Sequence, residues 1–113
     1  MLPSRYRLPS PLVRRVLAKG KRTPFDELSL TSVSTNEVVS RVAFVVSTKV
    51  DKRATARNRI KRILSESVWQ LLPSIRVGND IVFVVRRSPG PISQKQAEEK
   101  VRSLLQKASL LAL

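Results

Sequence analysis

The chain has 113 residues, 42% of them hydrophobic, a length and composition that suit one domain with a single core. Its 22 Lys and Arg residues outnumber its 8 Asp and Glu residues, which gives a formal net charge of +14 at pH 7. Such an excess repels itself in a compact fold and indicates an anionic partner, most commonly a nucleic acid. The absence of Cys and His from the sequence excludes disulfides, the usual zinc sites, and the Ser–His and Cys–His catalytic pairs.

We expect no targeting segment and no membrane span in this chain. The basic N-terminal region is interrupted by prolines and is followed by no apolar stretch of signal-peptide length. No segment reaches the roughly 18 apolar residues that a membrane span needs. We therefore expect a soluble cytoplasmic protein with one RNA-binding domain over residues 1–113, in which residues 1–10 form an extended or flexible arm and residues 109–113 a tail that can fray.

The first half of the chain predicts a short helix followed by strands. A set of apolar residues recurs at helical spacing: Leu12, Val13, Val16 and Leu17. Pro11 suits the first turn of this helix, and Gly20 suits its C-terminal cap. Apolar and polar residues then alternate over 26–33, turn-forming residues fill 34–37, and residues 42–46 are β-branched or aromatic. This pattern predicts two antiparallel strands joined by that turn.

The second half predicts a long helix, an interior strand and a last helix. Apolar residues follow the helical period over residues 55–72. Residues 80–85 are apolar on both faces, which is typical of an interior strand, and Asp80 at its start is interpreted as a turn or capping residue. Ser93 and Gln96 form a capping box ahead of the last helix. The resulting order predicts a single α+β sandwich of a small sheet and helices.

The beginning of the long helix carries the pattern that points most directly to a function. A wheel places aliphatic residues on one side and polar residues, with Trp69 and Ser65, on the other. Between Lys52 and Glu66 there is no acidic residue, whereas an ordinary solvated helix mixes charges at i,i+4. Guanidinium groups match phosphate oxygens, so this side predicts a nucleic-acid contact. The predicted RNA-binding residues are Lys49, Lys52, Arg53, Arg57, Asn58, Arg59, Lys61 and Arg62.

Other roles fit these residues less well. The eight acidic residues suggest no metal-dependent nuclease, because the adjacent pairs at 26–27 and 98–99 fit a strand start and a solvated helix turn. We therefore expect no catalytic residue and no metal ligand in the protein. Trp69 could stack on a base or anchor a core or subunit contact. A DNA regulator is disfavoured because no helix precedes the long one at helix-turn-helix spacing. The main alternative is a structural ribosomal or ribosome-assembly RNA-binding protein without an enzymatic role.

Three segments occur in a characteristic order: RVAFVVSTK at 41–49, RNRIKR at 57–62 and DIVFVV at 80–85. Their order and spacing resemble the protein subunit of bacterial ribonuclease P, over a likeness that runs from about Val13 to Leu105. The resemblance implies the element order α-β-β-α-β-α, with an optional third strand before the long helix and a mixed sheet like that of the second domain of ribosomal protein S5. It also implies a left-handed β-α-β crossover around the long helix, against the usual preference.

The same resemblance implies a function in tRNA maturation. The protein would assist a catalytic RNA in the endonucleolytic removal of the 5′ leader from precursor tRNA, in a 1:1 complex with that RNA. Hydrolysis would be carried by the RNA and its Mg²⁺, with no cofactor bound by the protein. The Arg-Asn-Arg helix would dock on the RNA, and a cleft between the first helix and the sheet would hold the leader. Cleft positions are assigned to Val13 and Leu17, where the family usually carries two Phe, and to Arg41 and Ser47.

Overall fold

The computed structural model describes residues 2–112. The elements in chain order are α1 (Ser10–Lys19), β1 (Lys21–Phe25), β2 (Leu28–Ser34), β3 (Arg41–Val46), α2 (Ala54–Leu71), β4 (Asn79–Val85) and α3 (Gln94–Lys107), with short 3-10 turns at Ser4–Tyr6 and Leu72–Ser74. This order confirms the α+β class. Three strands precede the long helix, and β1 is the additional one that the resemblance allows. The predicted capping box of α3 is also present, with Ser93 and Gln96 each bonded to the other's backbone N–H.

The four strands form one mixed sheet in the order β1-β2-β4-β3. β2 is antiparallel to both β1 and β4, whereas β3 is parallel to β4. The predicted hairpin between β2 and β3 is therefore wrong, because β4 lies between them. β4 is apolar on both faces, and nearly all of its residues are buried. Such burial requires an interior position in which the strand is paired on both edges. The β3-α2-β4 connection joins neighbouring parallel strands, and its left-handedness stays a prediction.

The main core lies between one face of the sheet and the helices α2 and α3. Phe83 of β4 is fully buried there, paired in register with Leu30 of β2 and with Phe44 of β3. The rings of Phe44 and Phe83 stack with their centroids 5.6 Å apart. Phe83 thus lies in the core, and the partly buried Phe44 packs against it. The helices contribute a buried aliphatic set: Leu64, Val68, Leu71, Ala97, Val101, Leu104 and Leu105.

Helix α1 covers part of the opposite face of the sheet. Its buried residue Val16 belongs to a second apolar cluster with Val82 of β4. The helix ends at Gly20 as predicted, but the φ of Gly20 is −81°, so the left-handed conformation is not what requires glycine. A Cβ there would lie 2.7 Å from the carbonyl oxygens of Ser32 and Val16. Glycine is needed because the backbone of the helix end passes directly against β2.

The N-terminal residues are docked on the edge of the sheet. Leu2 and Leu8 are buried, and the backbone N–H of Leu8 donates to the carbonyl of Val42 at 2.9 Å. The segment covers part of the exposed edge of β3, which would otherwise present unpaired backbone groups. Residues 2–8 thus form an arm that is held in place by burial and hydrogen bonding; Met1 lies outside the described residues.

The C-terminal tail also packs against the domain. Leu110 and Leu111 are buried. The backbone N–H of Arg76 donates to the carbonyl of Leu110 at 2.7 Å, and that of Ala112 donates to the carbonyl of Ser74 at 2.6 Å. Apolar burial and backbone pairing hold residues 109–112 against the turn after α2. Leu113 lies outside the described residues.

Candidate nucleic-acid interface

The start of α2 concentrates positive charge. The helix begins after Arg53, has no acidic residue in its first turn, and has no side chain that caps its first N–H groups. Cations at this end oppose the helix dipole, so local electrostatics alone would not favour the helix. The buried residues Leu64 and Val68, packed in the main core, hold it in place instead. The basic side chains and the positive end of the helix dipole therefore lie on the same surface, and the core fixes the position of that surface.

Two of the predicted RNA-binding residues also bind their own chain. The Asp51 carboxylate accepts hydrogen bonds from the backbone N–H of Arg53 at 2.9 Å and from its guanidinium at 3.2 and 3.1 Å. These bonds lower the pKa of Asp51 and raise that of Arg53. The guanidinium of Arg57 donates to the carbonyls of Asp51 and Lys52, both at 2.9 Å. Arg53 and Arg57 thereby order the segment that leads into the helix.

The other predicted cations point into solvent. None of them forms a salt bridge within residues 2–112, and all are exposed. We call these five residues the cationic strip: Lys49, Lys52, Arg59, Lys61 and Arg62. Asn58 is exposed beside them and lines a shallow depression together with Lys61 and Arg62. The structure thus brings the predicted RNA-binding residues together on one side of α2 and its lead-in.

Ser65 lies on the polar side of α2, as the helical wheel predicts, and lines the same depression as Asn58 and Arg62. Its exposed fraction is nevertheless only 6%. Trp69, on the same side, is 42% exposed. Its ring packs edge-on against Tyr6 of the N-terminal arm, with centroids 6.2 Å apart. Sequence analysis missed Tyr6, because no local pattern connects the arm to the end of α2.

The predicted cleft residues are only partly brought together. The side chain of Arg41 forms two hydrogen bonds of 3.0 Å to the buried carboxylate of Asp80, which raise the pKa of Arg41. Asp80 lies within β4, so its interpretation as a turn or capping residue is wrong; its side chain belongs to an ion pair between neighbouring strands. Ser47 is exposed past the other end of β3, about 20 Å from Arg41 at the usual rise of a strand. The two residues therefore mark opposite ends of the sheet face.

Helix α1 contributes to the groove at the Arg41 end. Val13 is half-buried against the second apolar cluster, whereas Leu17 is 42% exposed. The groove between α1 and the end of β2 is lined by the cations Arg15, Lys19 and Arg41. Two acidic residues, Glu37 and Asp80, also line it, and both pair with Arg41. Sequence analysis did not select Arg15 and Lys19, although their i,i+4 spacing places two cations on one face of α1.

Comparison with known proteins identifies the family. The family model for ribonuclease P matches residues 2–109. The chain belongs to the ribonuclease P protein family. It is 37% identical over 98 residues to the ribonuclease P protein component of Xanthomonas oryzae pv. oryzae, an alignment covering 87% of this chain and 66% of that protein. The chain thus spans slightly less than two thirds of the length of that relative.

Two further relatives support the family and the fold. The ribonuclease P protein component of Rippkaea orientalis is 36% identical over 109 residues, covering 91% of this chain and 84% of that protein. The solved ribonuclease P protein of Thermotoga maritima superposes with a TM-score of 0.78 at 26% identity, covering 89% of this chain and 96% of that one. The small mixed four-stranded sheet with three helices is therefore the fold of this ribonuclease P protein family.

No helix among residues 2–112 has the length and apolar character required to cross a membrane.

Proposed function

We propose that this chain is the protein subunit of a cytoplasmic ribonuclease P. It binds the catalytic RNA in a 1:1 complex and assists the removal of the 5′ leader from precursor tRNA. The observation that carries the proposal is the cationic strip, displayed on a helix whose position is fixed by the core. Membership of the ribonuclease P family favours this role over that of a structural ribosomal protein.

The strip has the chemistry required to bind an RNA backbone. Residues 49–62 contain seven Lys or Arg residues and the single acid Asp51. Because Asp51 pairs with Arg53, it leaves the five strip cations available to phosphates. Each phosphate that a cation neutralises releases condensed counterions, which makes binding strongly dependent on salt. Asn58 adds an amide that can donate to and accept from a sugar or a base edge.

The groove beside α1 is the proposed site of the leader. Arg15 and Lys19 present positive charge on one wall. Arg41, which also lines the groove, is held by Asp80 and therefore shapes it, while the Asp80 carboxylate offsets the positive charge of Arg41. The residues that line this groove do not include Val13 or Leu17, the positions where the family usually has aromatic rings. We infer that leader binding here depends on backbone charge more than on base stacking.

Phosphodiester hydrolysis is assigned to the RNA and the Mg²⁺ ions that it binds. Three of the carboxylates pair with cations of the same chain: Asp80 with Arg41, and Asp26 and Glu27 with Lys100. No group of three or more acidic side chains within residues 2–112 is placed to hold a metal ion. The division that we propose is that the protein positions RNA and leaves the chemistry to its partner.

Reconstitution with a ribonuclease P RNA and precursor tRNA tests the proposal. We expect the protein to increase leader release most at low magnesium, where the RNA alone folds and binds its ions poorly. The triple variant Arg59→Ala, Lys61→Ala, Arg62→Ala should lose this effect. A second variant removes the same charge from the exposed side of α3: Lys95→Ala, Arg102→Ala, Lys107→Ala. If both variants stimulate cleavage as the unmodified protein does, the strip is not the RNA-docking surface.

A further inference from the structure

The exposed side of α2 continues beyond the cationic strip to an aromatic residue. Asn58, Arg62 and Trp69 lie at i, i+4 and i+11, so they share one face of the helix. At 1.5 Å per residue, Trp69 lies about 10 Å further along the axis than Arg62. An RNA strand that binds the strip and follows this face would therefore reach Trp69.

Trp69 forms one wall of an open cleft at the C-terminal end of α2. We call it the aromatic cleft; it has a volume of about 530 Å³. Its walls are formed by the residues Tyr6, Val39, Ser40, Trp69, Gln70, Leu72, Pro73, Ile75 and Val77. Trp69 is 42% exposed and Val77 is 69% exposed, so a large apolar surface is open to solvent. A flat ring could enter and contact the indole.

The charges around the aromatic cleft favour an anionic occupant. None of the residues that line it is acidic; the nearest acid on α2, Glu66, accepts a hydrogen bond from the cleft residue Gln70 at 3.0 Å. The guanidinium of Arg5 lies 4.7 Å from the centre of the Tyr6 ring, at the edge of the cleft. Arg76 is exposed beside Val77. A second copy of the chain would bring another molecule of net charge +14 to this surface, whereas a nucleic acid brings both a flat ring and negative charge.

We propose that the aromatic cleft binds an unpaired RNA base by stacking on Trp69, adjacent to the RNA segment whose phosphates bind the cationic strip. This inference rests on the proposed function, because the strip supplies the RNA strand. The base is held by its aromatic face, so the site accepts many sequences. Tyr6 supports the indole from the side, and the docked N-terminal arm holds Tyr6 in place.

The intrinsic fluorescence of the protein tests the stacking directly. Trp69 is the only tryptophan in the chain, so its emission reports on this cleft alone. We expect a single-stranded oligoadenylate to quench the emission on binding. An abasic phosphodiester oligomer of the same length and charge should bind the strip without quenching. Quenching of equal size by both oligomers would overturn the proposal, because it would not require a base.

Substitution of the indole provides the second measurement. Trp69→Ala should weaken oligoadenylate binding roughly 5- to 100-fold, the range of a lost base–aromatic stack, and leave abasic-oligomer affinity unchanged. Trp69→Phe keeps an aromatic ring, so it should retain most of the oligoadenylate affinity. This variant is the control for the effect of substitution at position 69 itself. Circular dichroism melts confirm that both variants fold.

The outcomes separate this inference from the proposed function. If Trp69→Ala binds oligoadenylate normally while the triple strip variant does not, the stacking site is wrong and the strip assignment stands. If the triple strip variant binds a ribonuclease P RNA as tightly as the unmodified protein does, the proposed function fails. If sedimentation shows a dimer that Trp69→Ala dissociates, with RNA affinity unaffected, a second copy occupies the cleft and the inference is overturned.

Discussion

The sharpest prediction concerns the salt dependence of RNA binding. The five strip cations are exposed and form no salt bridge within the described part of the chain, so each can neutralise one phosphate. Arg53 and Arg57 differ from them because they already bind Asp51 and the adjacent carbonyl groups. Removing Arg59, Lys61 and Arg62 leaves two strip cations and should not disturb the hydrogen bonds that order the start of α2.

The expected magnitude follows from the number of strip cations. With about 0.7 to 0.9 counterions released per contact, the slope of log affinity against log salt should be about −4 for the unmodified protein. The triple variant, with two contacts left, should have a slope of about −1.5. Between 50 and 200 mM salt, affinity should therefore fall about 250-fold for the unmodified protein but only about 8-fold for the variant.

Filter binding or fluorescence anisotropy with a labelled ribonuclease P RNA, measured at four or more salt concentrations, gives both slopes. The α3 variant that removes three exposed cations elsewhere is the matched control, and it should keep a slope near that of the unmodified protein. The reasoning would be refuted if the triple strip variant kept the full slope, or if the α3 control lost as much of it.

Three further predictions concern stability, each measured by denaturant unfolding. Arg41→Ala leaves the Asp80 carboxylate without its partner; the Asp80 side chain is only 8% exposed, so the free energy of unfolding should fall by about 3 kcal/mol. The double variant Arg41→Ala, Asp80→Ala should lose less, and equal losses in the two variants would contradict the pairing. Gly20→Ala places a Cβ 2.7 Å from backbone oxygens and should cost about 2 kcal/mol; a neutral effect would show that the helix end can move. The hydrogen bond from Lys100 to Glu27, together with a weaker effect of its bond to Asp26, raises the pKa of Lys100 above 10.5. The stability lost in Lys100→Met should therefore be constant between about pH 6 and pH 10, a range in which carboxylates are ionised, and shrink as pH rises through the raised pKa; a difference that stays unchanged above pH 10 would count against it.

Local sequence pattern was sufficient for the elements and for the character of α2. A helix shows its apolar side through a period of 3.6 residues, and the cations of α2 fall opposite that side regardless of what packs against it. For this reason the helix, its buried aliphatic residues and its exposed cations agree with the prediction. The interior position of β4 was likewise apparent, because a strand apolar on both faces must be covered twice.

Strand order and the partners of individual polar groups depended on the tertiary structure. The turn after β2 suggested a hairpin with β3, but β4 takes the place between them because it gains pairing on both edges and burial on both faces. That insertion brings Asp80 beside Arg41, so a residue expected to bind the leader is also held in an ion pair. The docking of the arm, which brings Tyr6 to Trp69, has no local signature either. Periodicity is a property of neighbouring residues along the chain, whereas these contacts join segments from distant parts of it, whose meeting depends on the packing of the whole domain.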